Sequence, residues 1–273
     1  MKRLYLKNRI LETKFDSFIM GIINANNDSF FEKSRGGIER ALKLIQEGAD
    51  ILDIGAESTR PGAEYISSEK EIESIVPLVK EIRKHSSIPI SIDTRKKIVL
   101  EKALEVGADI LNDVSALEDD SELADFVAFS KIPVILMHKR GIPKTMQYNT
   151  EYADVFLEVN DYLQSRVTFA LSKGILKENI ILDPGIGFGK DVKANCLLTK
   201  KCGILCNGEY PVLVGLSRKS FLEKITGRLL EDRLTATMAA NLFAIQGGAS
   251  ILRVHDVRDT ADILKVAHFF KET

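Results

Sequence analysis

Eight short β-branched runs, each followed by a longer amphipathic stretch, constrain this chain more than any other feature. The runs are 18–23, 51–54, 89–92, 110–111, 134–137, 180–182, 212–214 and 251–254. Helical patterns fill the intervals, among them 68–84, 98–106, 152–172 and 235–246, with apolar residues every three or four positions. Several helix-to-strand joints repeat one phrase: Gly48-Ala49-Asp50-Ile51, Gly107-Ala108-Asp109-Ile110 and Gly248-Ala249-Ser250-Ile251. A glycine there ends one helix before the next strand begins. An open doubly wound sheet usually has fewer strands, so eight units predict an α/β fold of the closed (β/α)8 barrel type. No Pro/Gly/Ser-rich linker interrupts the array, so residues 17–273 are expected to form one barrel domain behind a short N-terminal extension, 1–16.

Length agrees, because 273 residues lie near the ~250 that such barrels use as one domain. Lys plus Arg total 38 against 39 Asp plus Glu, a net charge of -1, so no global field attracts nucleic acid or anionic lipid. The first sixteen residues are broken by charges, and the longest apolar run, 18–23, is far short of the ~20 residues a membrane helix needs. Neither a signal peptide nor a span is expected. Cys196, Cys202 and Cys206 crowd one segment without a nearby His and without zinc-knuckle spacing. They are read as packing cysteines in a reducing cytoplasm.

The chemistry is expected where the apolar runs stop, since barrel enzymes work at the C-terminal face of the sheet. Asn24, Asp53, Asp93, Asn112, His138, Asp183, Ser217 and Arg253 lie at or near those ends. Any one Asp or Asn could be a turn or helix cap; eight around one rim point to a site. Asp93, Asn112 and Asp183 would present a carboxylate, an amide and a second carboxylate, suited to a flat, nitrogen-rich ring. Arg60, Arg218, Lys219, Arg253 and His255 add cations fit for phosphate or pyrophosphate. The stretch from Asp183 to Lys190 is glycine-rich but is no P-loop. Pro184 stands where that loop needs Gly, and Asp191 where it needs Ser or Thr. The dinucleotide fingerprint fails too, because Lys190 takes the place of its last glycine.

At these places the sequence resembles the dihydropteroate synthase family of pterin-binding barrels, from about Phe18 to Phe269. The matching segments are Asp28-Ser29-Phe30, Ser58-Thr59-Arg60-Pro61-Gly62, Ser91-Ile92-Asp93-Thr94, Asn112-Asp113-Val114-Ser115, Leu136-Met137-His138, 182–190, 217–221 and Arg253-Val254-His255. The resemblance implies a transferase of folate biosynthesis. Such an enzyme joins 4-aminobenzoate to 6-hydroxymethyl-dihydropterin diphosphate and releases pyrophosphate. By the same resemblance, Asp93, Asn112, Met137, Asp183, Phe188 and Lys219 hold the pterin. Asn24, Thr59, Arg60, Arg253 and His255 hold the diphosphate, with Asn24 also a ligand for Mg2+. Phe30, Arg60, Pro61 and Ser217 border the aminobenzoate. Asp93, Asp183, Lys219, Arg253 and His255 carry the catalysis, which is positioning plus charge without a covalent nucleophile.

A homodimer through the later helices and sulfonamide sensitivity are also implied. The first loop departs from the family, with Asn26-Asn27 where Thr-Pro commonly precedes Asp-Ser-Phe; losing Pro loosens the loop around the arylamine. His138 and His85 are expected to be structural. Competing readings are a pterin-binding corrinoid methyltransferase, which needs no diphosphate site, a pterin-binding paralogue without turnover, and a Schiff-base lyase using Lys219.

Overall fold

Each apolar run becomes a strand because both of its faces are covered, one by the barrel interior and one by helices. The computed structural model describes residues 1–25, 34–57, 66–141 and 150–273. Within them the strands are β1 (Lys2–Leu6), β2 (Arg9–Thr13), β3 (Phe18–Asn24), β4 (Ile51–Gly55), β5 (Ile90–Asp93), β6 (Ile110–Asp113), β7 (Val134–Met137), β8 (Ile180–Asp183), β9 (Leu213–Val214) and β10 (Ile251–Val254). The helices are α1 (Ser34–Gln46), α2 (Ser68–His85), α3 (Lys97–Glu105), α4 (Leu123–Ser130), α5 (Val155–Ser172), α6 (Val192–Lys201), α7 (Ser220–Thr226), α8 (Leu234–Gln246) and α9 (Val257–Glu272).

Strands β3 to β10 form one parallel sheet in the order β8-β7-β6-β5-β4-β3-β10-β9. A parallel bridge between Leu182 and Val212 joins its two edges, and the Leu182 N–H donates to the Pro211 carbonyl at 2.9 Å. The sheet is therefore a closed barrel, as the eight-unit pattern predicts.

Side chains alternate across each strand. Phe18, Met20, Ile51, Ile110, Ile135, Ile181, Leu213 and Ile251 pack together inside the barrel. Ile19, Leu52, Leu111, Leu136, Leu182 and Leu252, one position along, join the larger core between sheet and helices. The inward positions two residues beyond the isoleucines of β4, β6, β8 and β10 are Asp53, Asn112, Asp183 and Arg253. An apolar floor thus lies beneath a polar layer at the C-terminal rim.

The repeated joints have a twofold logic. Gly48, Gly107 and Gly248 have φ of 102°, 105° and 95°, a region that favours glycine. The Asp two residues later reaches the adjacent strand: Asp50 Oδ2 accepts from the Ile19 N–H at 2.8 Å, and Asp109 Oδ2 from the Ile90 N–H at 2.9 Å. Asp109 also accepts from Arg83 Nη2 at 2.7 Å.

Residues 1–16 are more than an extension. β1 and β2 form an antiparallel hairpin in register from Lys2–Thr13 to Leu6–Arg9. Leu4 and Leu6 are buried against the inner floor, so the hairpin stoppers the end of the barrel opposite the polar rim. All three cysteines are free thiols, and Cys202 Sγ lies 3.4 Å from the Gly247 carbonyl. Among the described residues, no helix is long and apolar enough to cross a membrane.

Candidate active site

Asp53 and Asp93 grip one guanidinium. Arg253 Nε donates to Asp53 Oδ2 at 2.6 Å and Nη2 to Asp93 Oδ2 at 2.8 Å. Asn112, the register partner of Asp93 on the adjoining strand, donates through Nδ2 to both Asp53 oxygens at 3.3 and 3.2 Å. Burial opposes the Arg253 charge, but Asp53 and Asp93 outweigh it and keep the guanidinium charged. Burial pushes the Asp93 carboxyl up to about 7; Arg253 pulls it down, while Asp53, Asp113 and Glu71 add to the rise.

Asp183 ends β8, paired in register with Met137 at the end of β7. Its Oδ1 accepts from the Gly185 N–H at 2.7 Å. Burial raises its pKa, against the pull of Lys219, that N–H, Arg253 and Lys190. Lys219 Nζ donates to the Ile186 carbonyl and lies 4.9 Å from the centre of the Phe188 ring. Burial lowers the lysine to about 8, with Asp183 opposing and Arg253 reinforcing the shift. The expected pterin residues therefore converge: Asp93 and Asn112 on one side, Asp183, Lys219 and Phe188 on the other, and Met137 buried between their strands.

The expected diphosphate residues divide differently. Arg253 is shared with the pterin side through Asp93. His255 follows β10, with its Nδ1 3.0 Å from Ser217 Oγ and its N–H donating to the same oxygen at 3.2 Å. Ser217, expected beside the aminobenzoate, thus sits against a diphosphate candidate. Arg218 turns aside: with φ of 57°, it donates from Nε and Nη2 to Asp256 at 3.0 and 2.8 Å. Asn24 is the exposed tip of β3, in register with Gly55. Phe30, Thr59, Arg60 and Pro61 lie outside the described residues, as do Asn26 and Asn27.

Among the described residues, no group of three or more His, Cys, Asp or Glu side chains could hold a metal ion. A hard cation here would combine an oxygen such as the Asn24 amide with oxygens of a bound phosphate, the usual habit of Mg2+.

Two participants have roles that a reading of strand ends alone does not give, although Asp53 stands among the strand-end residues. Asp53, wholly buried, is the third residue of β4 rather than its last, yet it holds both Arg253 and Asn112. Its place two residues from the inward Ile51 puts its side chain on the inner face of the barrel. The other is Lys190. Its ammonium is buried behind the glycine-rich loop, 2.8 Å from His138 Nδ1, and donates to the Gly185 and Phe188 carbonyls at 3.0 Å each. His138 also packs edge-on to Tyr162 at 5.0 Å. Burial and the adjacent Lys190 and Arg140 charges depress its pKa to about 3, so its ring is neutral. His85 is remote, ion-paired with Glu81 near the end of α2 at 3.4 Å.

The sequence pattern of the pterin binding enzyme family matches residues 20–255. The dihydropteroate synthase of Haemophilus influenzae is 42% identical over 269 residues, covering 97% of each chain. The solved structure of Xanthomonas albilineans dihydropteroate synthase with 4-aminobenzoic acid superposes with a TM-score of 0.92 at 39% identity, covering 99% of this chain and 98% of that one. The Burkholderia cenocepacia dihydropteroate synthase complexed with 7,8-dihydropteroate gives 0.90 at 36% identity, covering 99% and 96%. With a buried polar rim that brings together the pterin candidates, and relatives matching it along nearly its whole length, this chain belongs to the pterin-binding enzymes and, among them, to the dihydropteroate synthases.

Proposed function

We propose that the chain condenses 4-aminobenzoate with (7,8-dihydropterin-6-yl)methyl diphosphate, giving 7,8-dihydropteroate and pyrophosphate. The observation that carries the residue assignment is the convergence of Asp93, Asn112, Asp183 and Lys219 on one rim, with Arg253 held among them. Two carboxylates and an amide complement the amino and ring N–H groups of a pterin, and Lys219 donates to its acceptor edge. Phe188 and Met137 supply apolar contact to the ring.

The bond between the pterin methylene and the diphosphate oxygen breaks, and its electron pair leaves with the diphosphate. Positive charge develops on the methylene and spreads into the ring, where Asp93 and Asp183 favour it. The amine nitrogen then donates its lone pair to the methylene, forms the C–N bond and loses a proton. Arg253 and His255 bind the departing diphosphate. Mg2+, when bound by Asn24 and the diphosphate oxygens, would supply further neutralisation of that leaving charge. Thr59 and Arg60 are assigned to the diphosphate, and Phe30, Arg60, Pro61 and Ser217 to the arylamine, on the family resemblance.

A homodimer is part of this proposal. α8 carries no charged residue, and its outer face carries Leu242 and Phe243, 38% and 55% exposed. The free thiols suit a reducing cytoplasm.

The decisive experiment is pyrophosphate release from the dihydropterin diphosphate under Mg2+, with and without 4-aminobenzoate. Release should depend on the amine and fall roughly 100-fold or more in Asp183→Asn and Lys219→Ala proteins that remain folded. Near-normal rates in both variants overturn the residue assignment. Absence of an amine-dependent product favours a binding protein without turnover, and borohydride trapping at Lys219 a lyase.

A further inference from the structure

We propose that Lys190, with His138 behind it, is a positioning residue for pterin recognition: its buried ammonium shapes the loop after β8 that presents the Gly185 N–H to the Asp183 carboxylate. The inference rests on the assignment of Asp183 to the pterin. Lys190 occupies a place where a nucleotide-binding loop would direct a lysine at phosphate, yet its side chain turns inward and is almost completely buried. A buried lysine is costly unless its donors are satisfied. Here they meet His138 Nδ1, the Gly185 carbonyl and the Phe188 carbonyl.

Those partners are the supports of the pterin site. Gly185 supplies the N–H that fixes Asp183 Oδ1, and Phe188 is the ring beneath Lys219. The glycines are needed for the loop to close this tightly. Gly185, Gly187 and Gly189 have φ of 66°, 85° and 67°, and a Cβ on Gly185 would lie 1.8 Å from the His138 carbonyl oxygen. Asn195 braces the same loop, accepting from the Gly187 N–H at 2.7 Å and donating to the Lys190 carbonyl at 3.2 Å. Tyr152 Oη donates to the Gly189 carbonyl at 2.9 Å.

The electrostatics agree with the geometry. The neutral His138 ring offers Nδ1 as an acceptor to an ammonium. Burial pulls the Lys190 pKa well down, the Asp183 carboxylate opposes that fall, and Lys219 and Arg140 add to it. Reciprocally, Lys190 is among the groups that hold Asp183 ionised against burial, together with Lys219, the Gly185 N–H and Arg253. Two lysines thus act on the one carboxylate, Lys219 and the buried Lys190. A carboxylate accepts from two pterin N–H groups only while ionised.

The test is the pH dependence of kcat/KM for the dihydropterin diphosphate in Lys190→Met and Lys190→Arg proteins, with folding checked by circular dichroism and thermal melting. In Lys190→Met the loss should be about tenfold or more near neutral pH, with the acid limb moved to higher pH and partial recovery in alkali. The KM for 4-aminobenzoate should stay near the native value. Lys190→Arg, which keeps the charge, should leave the limb where it is and lower the profile evenly. A folded Lys190→Met enzyme with an unmoved limb, or with a loss equal at every pH, overturns the proposal. Should Lys190→Met not fold, a shifted limb in Lys190→Arg overturns it instead. Asp183→Asn separates the two claims. If that variant binds the dihydropterin diphosphate normally, the Asp183 assignment fails; if only that variant is impaired, the role of Lys190 fails alone.

Discussion

At the residue scale the site depends on sharing: Arg253 is divided between Asp53 and Asp93, and Asp53 also accepts from Asn112. Burial raises the Asp93 pKa most, Arg253 pulls it down, and Asp53 leads the carboxylates that add to the rise. Asp53→Asn removes the repulsion and leaves Arg253 with one carboxylate, so the Asp93 pKa should fall from about 7. Because kcat/KM reports groups of the free enzyme, its acid limb for the dihydropterin substrate should move to lower pH. Its plateau should drop about tenfold as Arg253 loses an anchor. A limb that stays in place leaves Asp183 alone as the titrating group. Stability follows the same sign: a carboxyl with a raised folded pKa costs stability as pH climbs from the ordinary carboxylate range through about 7, and Asp53→Asn should reduce that loss. Asp93, Asn112 and Asp183 were legible in the sequence because each ends an apolar run. Asp53 was legible as a strand-end residue, but its grip on Arg253 and Asn112 was not, and the His138–Lys190 contact joins residues that no local pattern relates.

At the scale of elements, the strands and joints were legible because their signals are local. A strand needs an apolar run, and a helix needs a residue able to take positive φ at its end. What local sequence does not carry is what the joint meets in space. Gly48 and Gly248 look alike in sequence and share left-handed geometry, with φ of 102° and 95°. An added Cβ at Gly48 would meet only the Ala261 side chain at 3.8 Å, whereas at Gly248 it would lie 2.9 Å from the Gly203 Cα. Gly48→Ala should therefore cost only the backbone strain, about 1–2 kcal/mol. Gly248→Ala adds a main-chain collision and should cost at least about 1 kcal/mol more. Urea unfolding of the two proteins decides it, and equal midpoints would show that the Gly203 contact relaxes freely. The end of β9 was blurred for a related reason: Val212 makes the closing bridge to Leu182 but lies just before the regular strand Leu213–Val214.

At the scale of the whole molecule, the least legible part was the hairpin. Its burial at Leu4 and Leu6 alternates with the exposed Tyr5, but charges flank this short run on both sides and its partners lie at the floor of the barrel. With one end stoppered and the other forming the site, an exposed apolar surface on the flank calls for a different occupant. α8 contributes Leu242 and Phe243, and the neighbouring turn and α7 contribute Leu229 and Ile225, 66% and 54% exposed. A second copy related by a two-fold would bury every such side chain twice. Each fully buried Leu or Phe contributes roughly 1.5–3 kcal/mol, so replacing Leu242 and Phe243 by Glu should remove the main apolar contribution and introduce like charges facing each other. Sedimentation equilibrium should find two chains for the native protein and one for the Leu242→Glu, Phe243→Glu protein. A native protein that sediments as a single chain ends the dimer reading. The described pterin-side residues, Asp93, Asn112, Met137, Asp183, Phe188 and Lys219, all come from one barrel, so the single-chain variant should keep its affinity for the dihydropterin diphosphate. A large loss of that affinity, with the fold intact, would mean that the rim depends on the partner's contact through α7 and α8.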